Sequence, residues 1–184
     1  MIVVVAGRRV DADDAEVARF PSSNVEMVST KLKRFLSAND IDFIVSSGAC
    51  GADLIALDMA GQVNIPRKMV LPFDAETFRA TSVIDRPGNW GLLFDKIYVD
   101  LQKESGVIEL PYEKDESSVY EKTNFDILDT ADEMFRRQQG LADEKKVAVI
   151  IWEGVPKDSN DTTNHFKEEA FARGYEIKEI NCLH

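Results

Sequence analysis

Apolar runs and amphipathic segments alternate along this chain. The apolar runs lie at residues 2–6, 43–47, 68–73, 107–110, 147–152 and 176–180, and each is predicted to form a strand. Several of them are continuous runs of Val, Ile and Leu, which is typical of parallel strands covered on both faces.

Helical patterns separate these strands. Apolar residues recur at helical spacing within residues 25–39, after Trp90 and after Tyr120. A last helix is predicted from about residue 162 to residue 173, where Gly174 would end it. The alternation predicts an α/β fold with a single doubly wound, mostly parallel sheet of about five to seven strands, in one domain spanning residues 1–184.

The stretch from residue 43 to residue 56 reads as a strand, a turn of small residues and the start of a helix. The first N–H groups of a helix lack partners within the helix, and the helix dipole adds partial positive charge there. The sequence therefore predicts a pocket for a phosphate or a carboxylate at this turn, formed by Ser47, Gly48, Ala49, Gly51 and Asp53. The alternative is a tight connection that serves packing alone.

Ligands of parallel α/β sheets bind beyond the carboxyl ends of the strands, which directs attention to the loops there. Gly7, Arg8 and Arg9 follow the first strand. Glycine frees the backbone, and a guanidinium group holds phosphate or carboxylate through two hydrogen bonds. The alternative is a pair of surface arginines that face the protein's own carboxylates.

The segment at residues 77–89 follows the third strand and is predicted to be a long loop. Long ordered loops on a rigid scaffold often carry function. The candidate ligand-binding residues in it are Arg79, Thr81, Ser82 and Arg86. For Asp85 and Asn89 the simpler interpretation is that one of them caps the next helix.

Further candidates lie near the starts of the last two helices and after the fifth strand. Tyr120 and Asn124 share a helix face, where they would stack on a base and read a base edge or ribose, or else merely pack or face water. The remaining candidates are Trp152, Glu153, Asp161, Thr162 and Thr163. Either Asp161 or Thr162 would alternatively serve only as a helix cap.

Composition narrows the class of protein. The 184 residues carry a formal net charge of -11, which disfavours binding to nucleic acid and to anionic membrane surfaces. No apolar run approaches the roughly 20 residues that span a bilayer, and two cysteines make no disulfide framework, so we expect a cytoplasmic protein. The two histidines do not cluster with cysteine, and neither a metal ion nor a cofactor is predicted.

Residues 45–53, which read VSSGACGAD, resemble the strand–turn–helix motif of the SLOG superfamily. That superfamily gathers the Smf/DprA, LOG (cytokinin riboside phosphoribohydrolase) and YpsA-like Rossmann-type proteins. Residues 46–95 and 147–180 resemble an uncharacterised bacterial branch, so the resemblance covers most of the chain. It implies the modified Rossmann sheet of LOG-like and YpsA-like proteins.

Two departures from that resemblance bear on activity. LOG enzymes carry a P-G-G-x-G-T-x-x-E loop that binds phosphate and supplies a glutamate, whereas residues 159–166 here lack the paired glycines and the glutamate. DprA-like proteins, which bind single-stranded DNA, have a basic residue where Cys50 stands. The sequence therefore argues against phosphoribohydrolase activity and against DNA binding.

The predicted function is binding of a nucleotide or a nucleotide-derived ligand at the carboxyl edge of the sheet, in the manner of a sensor. One alternative is an enzyme that cleaves or transfers the N-glycosidic bond of a nucleotide, for which Glu121 and Glu153 are the candidate carboxylates. Another is an interaction module without a small ligand, suggested by the acidic runs at residues 11–16 and 113–116. The apolar helix stripes also lead us to expect a homodimer.

Overall fold

Six strands form one parallel sheet. In this computed structural model, which describes residues 1–116, 118–138 and 145–184, the sheet order is β4-β3-β2-β1-β5-β6 and each neighbouring pair runs parallel. The strands are β1 Ile2–Gly7, β2 Phe43–Ser46, β3 Arg67–Leu71, β4 Val107–Glu109, β5 Lys146–Trp152 and β6 Glu176–Asn181. The predicted α/β fold with a parallel sheet is confirmed, strand by strand.

Helices connect the strands in sequence. They are α1 Val25–Ser37, α2 Ala52–Gln62, α3 Ala75–Ser82, α4 Trp90–Lys103, α5 Val119–Gln138 and α6 Thr162–Ala172. Gly174 follows α6 with a φ of +80°, the left-handed backbone that commonly ends a helix. Among the described residues, no helix combines the length and the apolar character that a membrane crossing requires.

The segment predicted as a long loop after β3 is largely helical, which corrects that prediction. Asp74 caps α3, because its side chain accepts the N–H of Thr77 at 2.8 Å. Only Phe78 and Ser82 of this eight-residue helix are buried. A helix this short, with so few buried positions, leaves no apolar stripe to reveal it in the sequence.

The sheet is covered on both faces. Val3, Val5 and Ile44 belong to the core beneath α1, α2 and α4, whereas Val4 and Val45 belong to the core beneath α5 and α6. Neighbouring strand residues therefore face opposite cores, which explains why the central strands are apolar at every position.

The order in which the strands are added to the sheet reverses between β1 and β5, although all strands run parallel. Strands β2, β3 and β4 extend the sheet on one side of β1, and β5 and β6 extend it on the other. The loops after β1 and β5 therefore diverge at the carboxyl edge and leave a crevice, where ligands of such sheets bind. The two strands approach closely there, since a Cβ on Gly7 would lie 2.2 Å from the carbonyl oxygen of Ile151.

Candidate functional site

A cavity of about 220 Å³, called the pocket below, opens at this crevice. Its walls come from the end of β1, the β2–α2 turn, α3, and the starts of α5 and α6. The lining residues are Val5, Ala6, Gly7, Arg9, Ser47, Ala49, Asp53, Phe78, Ser82, Tyr120, Thr123, Asn124, Ile127, Thr162 and Thr163.

Asp53 supplies the one carboxyl group among the described residues that line the pocket. It lies in the first turn of α2, and the backbone N–H of Ala49 points to its Oδ2 at 3.4 Å. Burial raises the pKa of Asp53 to about 7, against the opposing effect of that N–H group. At neutral pH this carboxyl group is therefore divided between a form that donates a hydrogen bond and a form that only accepts.

The opposite wall is held by contacts between helices. The hydroxyl of Tyr120 on α5 lies 3.2 Å from the hydroxyl of Ser82 on α3. The amide of Asn124 donates to the carbonyl oxygen of Thr162 at 3.0 Å and so joins α5 to α6. These contacts tie the α5 wall to α3 on one side and to α6 on the other, while Phe78 and Ile127 add apolar surface.

Arg9 stands at the border of the pocket. Its guanidinium group forms an ion pair with Asp85, and about a third of its side chain is exposed. Its Nε atom is buried and has no hydrogen-bond partner among the described residues. Arg9 can therefore meet a ligand through the exposed part of its guanidinium group and not through the buried Nε.

Arg8 turns inward, away from the pocket. Its guanidinium group contacts the carboxylates of Glu153 at 2.5 Å and Asp161 at 2.7 Å, and all three side chains are nearly fully buried. Although burial opposes ionisation, the hydrogen bonds from Arg8 hold the pKa of Glu153 below its ordinary value and that of Asp161 at about 2. The predicted ligand residues Arg8, Glu153 and Asp161 thus form an internal ion cluster.

Asp161 has a second role at the start of α6. Its carboxylate accepts the backbone N–H groups of Thr163 at 2.9 Å and Asn164 at 3.3 Å, as the capping alternative predicts. The neighbouring Thr162 and Thr163 line the pocket.

A second space of about 350 Å³, called the hollow below, adjoins the pocket and shares Gly7, Arg9, Thr162 and Thr163 with it. It lies between the loops that follow β1 and β5. Its other lining residues are Arg8, Val10, Asp11, Ala12, Ala15, Val17, Arg19, Arg86 and Lys157. Of the residues predicted from the sequence, Arg8 and Arg86 line the hollow and not the pocket.

Two of the predicted glycines serve packing. A Cβ on Gly48 would meet Met69, Leu71 and Phe94 within 3.2 Å, so this residue faces the core. Gly51 has a φ of +99°, and a Cβ there would lie 2.7 Å from the carbonyl oxygen of Arg8. These two positions follow the packing alternative for the turn, whereas Ser47, Ala49 and Asp53 border the pocket.

Three other predicted residues lie outside both spaces. Arg79 forms two hydrogen bonds with Asp95 of α4, at 2.6 and 2.9 Å. The Thr81 hydroxyl donates to the backbone oxygen of Thr77 within α3. Trp152 is buried, and its Nε1 donates to Glu179 at 2.7 Å.

Sequence reasoning missed residues in both spaces. Phe78, Thr123 and Ile127 line the pocket, but they sit in helical patterns that are equally typical of core packing. Arg19 and Lys157 line the hollow. Both follow strands at the carboxyl edge of the sheet, so the rule that selected Arg8 and Arg9 would also have found them.

The part of the chain that the structure describes holds no group of three or more His, Cys, Asp or Glu side chains arranged to bind a metal ion. Cys50 and Cys182 are both buried and unbridged.

No protein-family model and no curated protein matches this chain. Among solved structures, the chain is similar to the X-ray structure of DNA processing protein A (DprA) from Streptococcus pneumoniae, with 16% sequence identity and a TM-score of 0.40. The match covers 95% of this chain, which spans only 57% of that one. At this level the likeness concerns the arrangement of strands and helices and assigns no activity or partner.

Proposed function

We propose that the pocket binds a nucleotide or a nucleotide-derived small molecule, in the manner of a sensor. The observation that carries the proposal is the junction of the two spaces at the reversal point of the sheet. With volumes of about 220 and 350 Å³, they provide room of the order found in ligand pockets, roughly 300–1,000 Å³. One space combines apolar walls with a few polar groups, and the other is lined with cations.

The pocket suits a base and a sugar. Phe78 and Ile127 offer apolar contact, and Asp53 offers a carboxyl group to hydroxyl or amine groups of the ligand. Tyr120 and Asn124 border the same space and supply a hydroxyl and an amide. A largely apolar lining with a small number of polar groups is typical of sites that orient a small molecule.

The chain's charge and sequence motif support the same class of ligand. The chain has a net charge of -11, which repels a long polyanion. A small molecule that enters one local cationic space is disfavoured less. The motif at residues 45–53 resembles that of the SLOG superfamily, and residues 46–95 and 147–180 resemble an uncharacterised bacterial branch of it.

A thermal-shift panel of nucleosides, nucleotides, ADP-ribose and cyclic dinucleotides tests this function. A ligand at 100 times its Kd stabilises the folded state by about 2.7 kcal/mol. Ser47→Leu, which fills the pocket, should abolish the shift. Ser37→Leu, at an exposed position near the end of α1, is the matched control and should leave it unchanged. The absence of a shift with every compound would overturn the proposal.

Cleavage of an N-glycosidic bond is the second candidate, and the position of Asp53 favours it. Such a reaction passes through a transition state with oxocarbenium character, which a nearby carboxylate stabilises. Of the two carboxylates first considered, Glu153 is bound to Arg8 and Arg19, and Glu121 does not line the pocket. The reaction would thus rely on Asp53.

Chromatographic detection of free base from a nucleotide panel separates the two functions. Turnover that disappears in Asp53→Asn but persists in Glu121→Gln would establish the enzyme. Binding without any release of base would leave the sensor function.

A further inference from the structure

The hollow concentrates positive charge in an acidic protein. Five cationic residues line it, and Asp11 is the one acidic residue among the described lining residues. Asp11 is itself engaged, because its carboxylate accepts the backbone N–H groups of Arg19 and Phe20. The cations are Arg8, Arg9, Arg19, Arg86 and Lys157.

The carboxylates that balance these cations are shared. Arg8 and Arg19 both pair with Glu153, which is only 4% exposed and lies behind the surface of the hollow. Arg9 and Arg86 both pair with Asp85. Each of these two pairs of arginines therefore shares a carboxylate, although Asp161 adds a second partner for Arg8 alone.

Lys157 lacks even a shared partner. It forms no ion pair with the residues that the structure describes, and its own backbone N–H donates to Asp161 at 2.7 Å. Loss of water around its ammonium group and the charges of Arg8 and Arg19 lower the pKa of Lys157, and the carboxylates of Asp161 and Glu153 offset that shift only in part. The net effect disfavours the charged form of Lys157, and an anion in the hollow would stabilise that charge.

The backbone N–H groups at the start of α6 are not free to bind an anion in the hollow. Asp161 already takes the N–H groups of Thr163 and Asn164, so the helix terminus is capped from within. The attraction for an anion comes instead from side chains, of which Arg9, Arg19 and Arg86 are each between a quarter and a third exposed.

We propose that the hollow binds a diphosphate group and that Arg9, Arg19, Arg86 and Lys157 are its anion-binding residues. The inference rests on the proposed function, because the diphosphate would belong to the ligand whose base and sugar occupy the pocket. Arg9 and the two threonines at the start of α6 border both spaces, so one molecule can extend from one to the other. Guanidinium and ammonium groups are the side chains that proteins use for phosphate.

The ligand class that follows is a nucleoside diphosphate or a nucleotide with an internal diphosphate. A nucleoside would use the pocket alone, and a monophosphate would meet only part of the cationic lining. Affinity should therefore rise from adenosine to AMP to ADP, and in the same order for the guanosine series, by about tenfold or more over the series.

Inorganic pyrophosphate is the probe that tests the hollow separately. Titration calorimetry at low salt should detect binding to the wild-type protein, weakened about tenfold by Lys157→Met and by Arg86→Met. Lys96→Met, an equal charge change at an exposed position of α4, should have no effect. The pocket variant Ser47→Leu should still bind pyrophosphate.

The outcomes distinguish this inference from the function on which it rests. No pyrophosphate binding, or equal weakening by Lys96→Met, would overturn the diphosphate site. Adenosine and ADP binding with the same affinity would overturn it as well, while leaving the nucleotide pocket intact. Pyrophosphate binding without binding of any nucleoside or nucleotide would overturn the proposed function and leave the hollow as an anion site.

Discussion

Arg8 and Glu153 lie 145 positions apart in sequence and form a two-point ion pair, with Nε 2.5 Å from Oε2 and Nη2 3.0 Å from Oε1. The pair joins the loop after β1 to the end of β5 at the reversal point of the sheet. Because those two loops form walls of the hollow, the ion pair holds the backbone that carries Arg9 and Lys157 in position.

Removing Arg8 should be severely destabilising. Arg8→Met would leave the buried carboxylate of Asp161 without its cation and that of Glu153 with Arg19 alone, and breaking a buried ion pair typically costs about 3–5 kcal/mol. Arg9→Met removes an ion pair whose two side chains are each about a third exposed, and it should cost about 1 kcal/mol or less. Urea denaturation of the two variants measures the difference, and equal losses would contradict the structural role assigned to Arg8.

Asp53 should make stability fall as the pH rises towards neutrality. Its folded pKa of about 7 lies above the ordinary value of 3.8, so the folded state keeps a proton that the unfolded chain releases. The stabilisation is fully present below about pH 4 and is lost as the pH rises through about 7.

Asp53→Asn cannot ionise and should therefore gain on the wild type as the pH rises. We expect the variant to be more stable by on the order of 1–2 kcal/mol near pH 8, with a smaller difference near pH 5. Thermal unfolding without ligand at both pH values measures this. Asp58→Asn, on the same helix, is the control for the removal of a carboxylate from α2. A gain for Asp53→Asn that did not depend on pH would contradict the assignment.

Gly51 and Gly154 offer a matched test of backbone crowding. Their φ angles are +99° and +97°, but a Cβ on Gly51 would meet the Arg8 carbonyl at 2.7 Å, whereas a Cβ on Gly154 would meet nothing within 4 Å. Gly154→Ala should cost about 1 kcal/mol from its φ alone, and Gly51→Ala at least about 2 kcal/mol more. Equal costs by chemical denaturation would mean that the β2–α2 turn has room for a side chain.

The strands and the longer helices could be predicted because their apolar patterns are local. Helix α3 could not, since its eight residues bury only Phe78 and Ser82. Its signal was the capping aspartate, Asp74, three residues before Thr77.

The site was predictable only where position in the fold determines it. Ser47 and Asp53 border the pocket because they follow a strand at the carboxyl edge of the sheet. The adjacent residues Arg8 and Arg9 have similar chemistry, yet one is buried and the other borders the pocket. The difference comes from Glu153 and Asp161, whose proximity to Arg8 exists only in the folded chain.

A titration of the isotope-labelled protein with ADP and GDP, followed by backbone amide NMR, tests the central claim most directly. We predict saturable shifts that are concentrated at Ser47, Asp53 and Asn124 in the pocket and at Arg9 and Lys157 in the hollow. Shifts that fail to saturate, that lie mainly on the outer helix surfaces, or that are absent at millimolar nucleotide would contradict it.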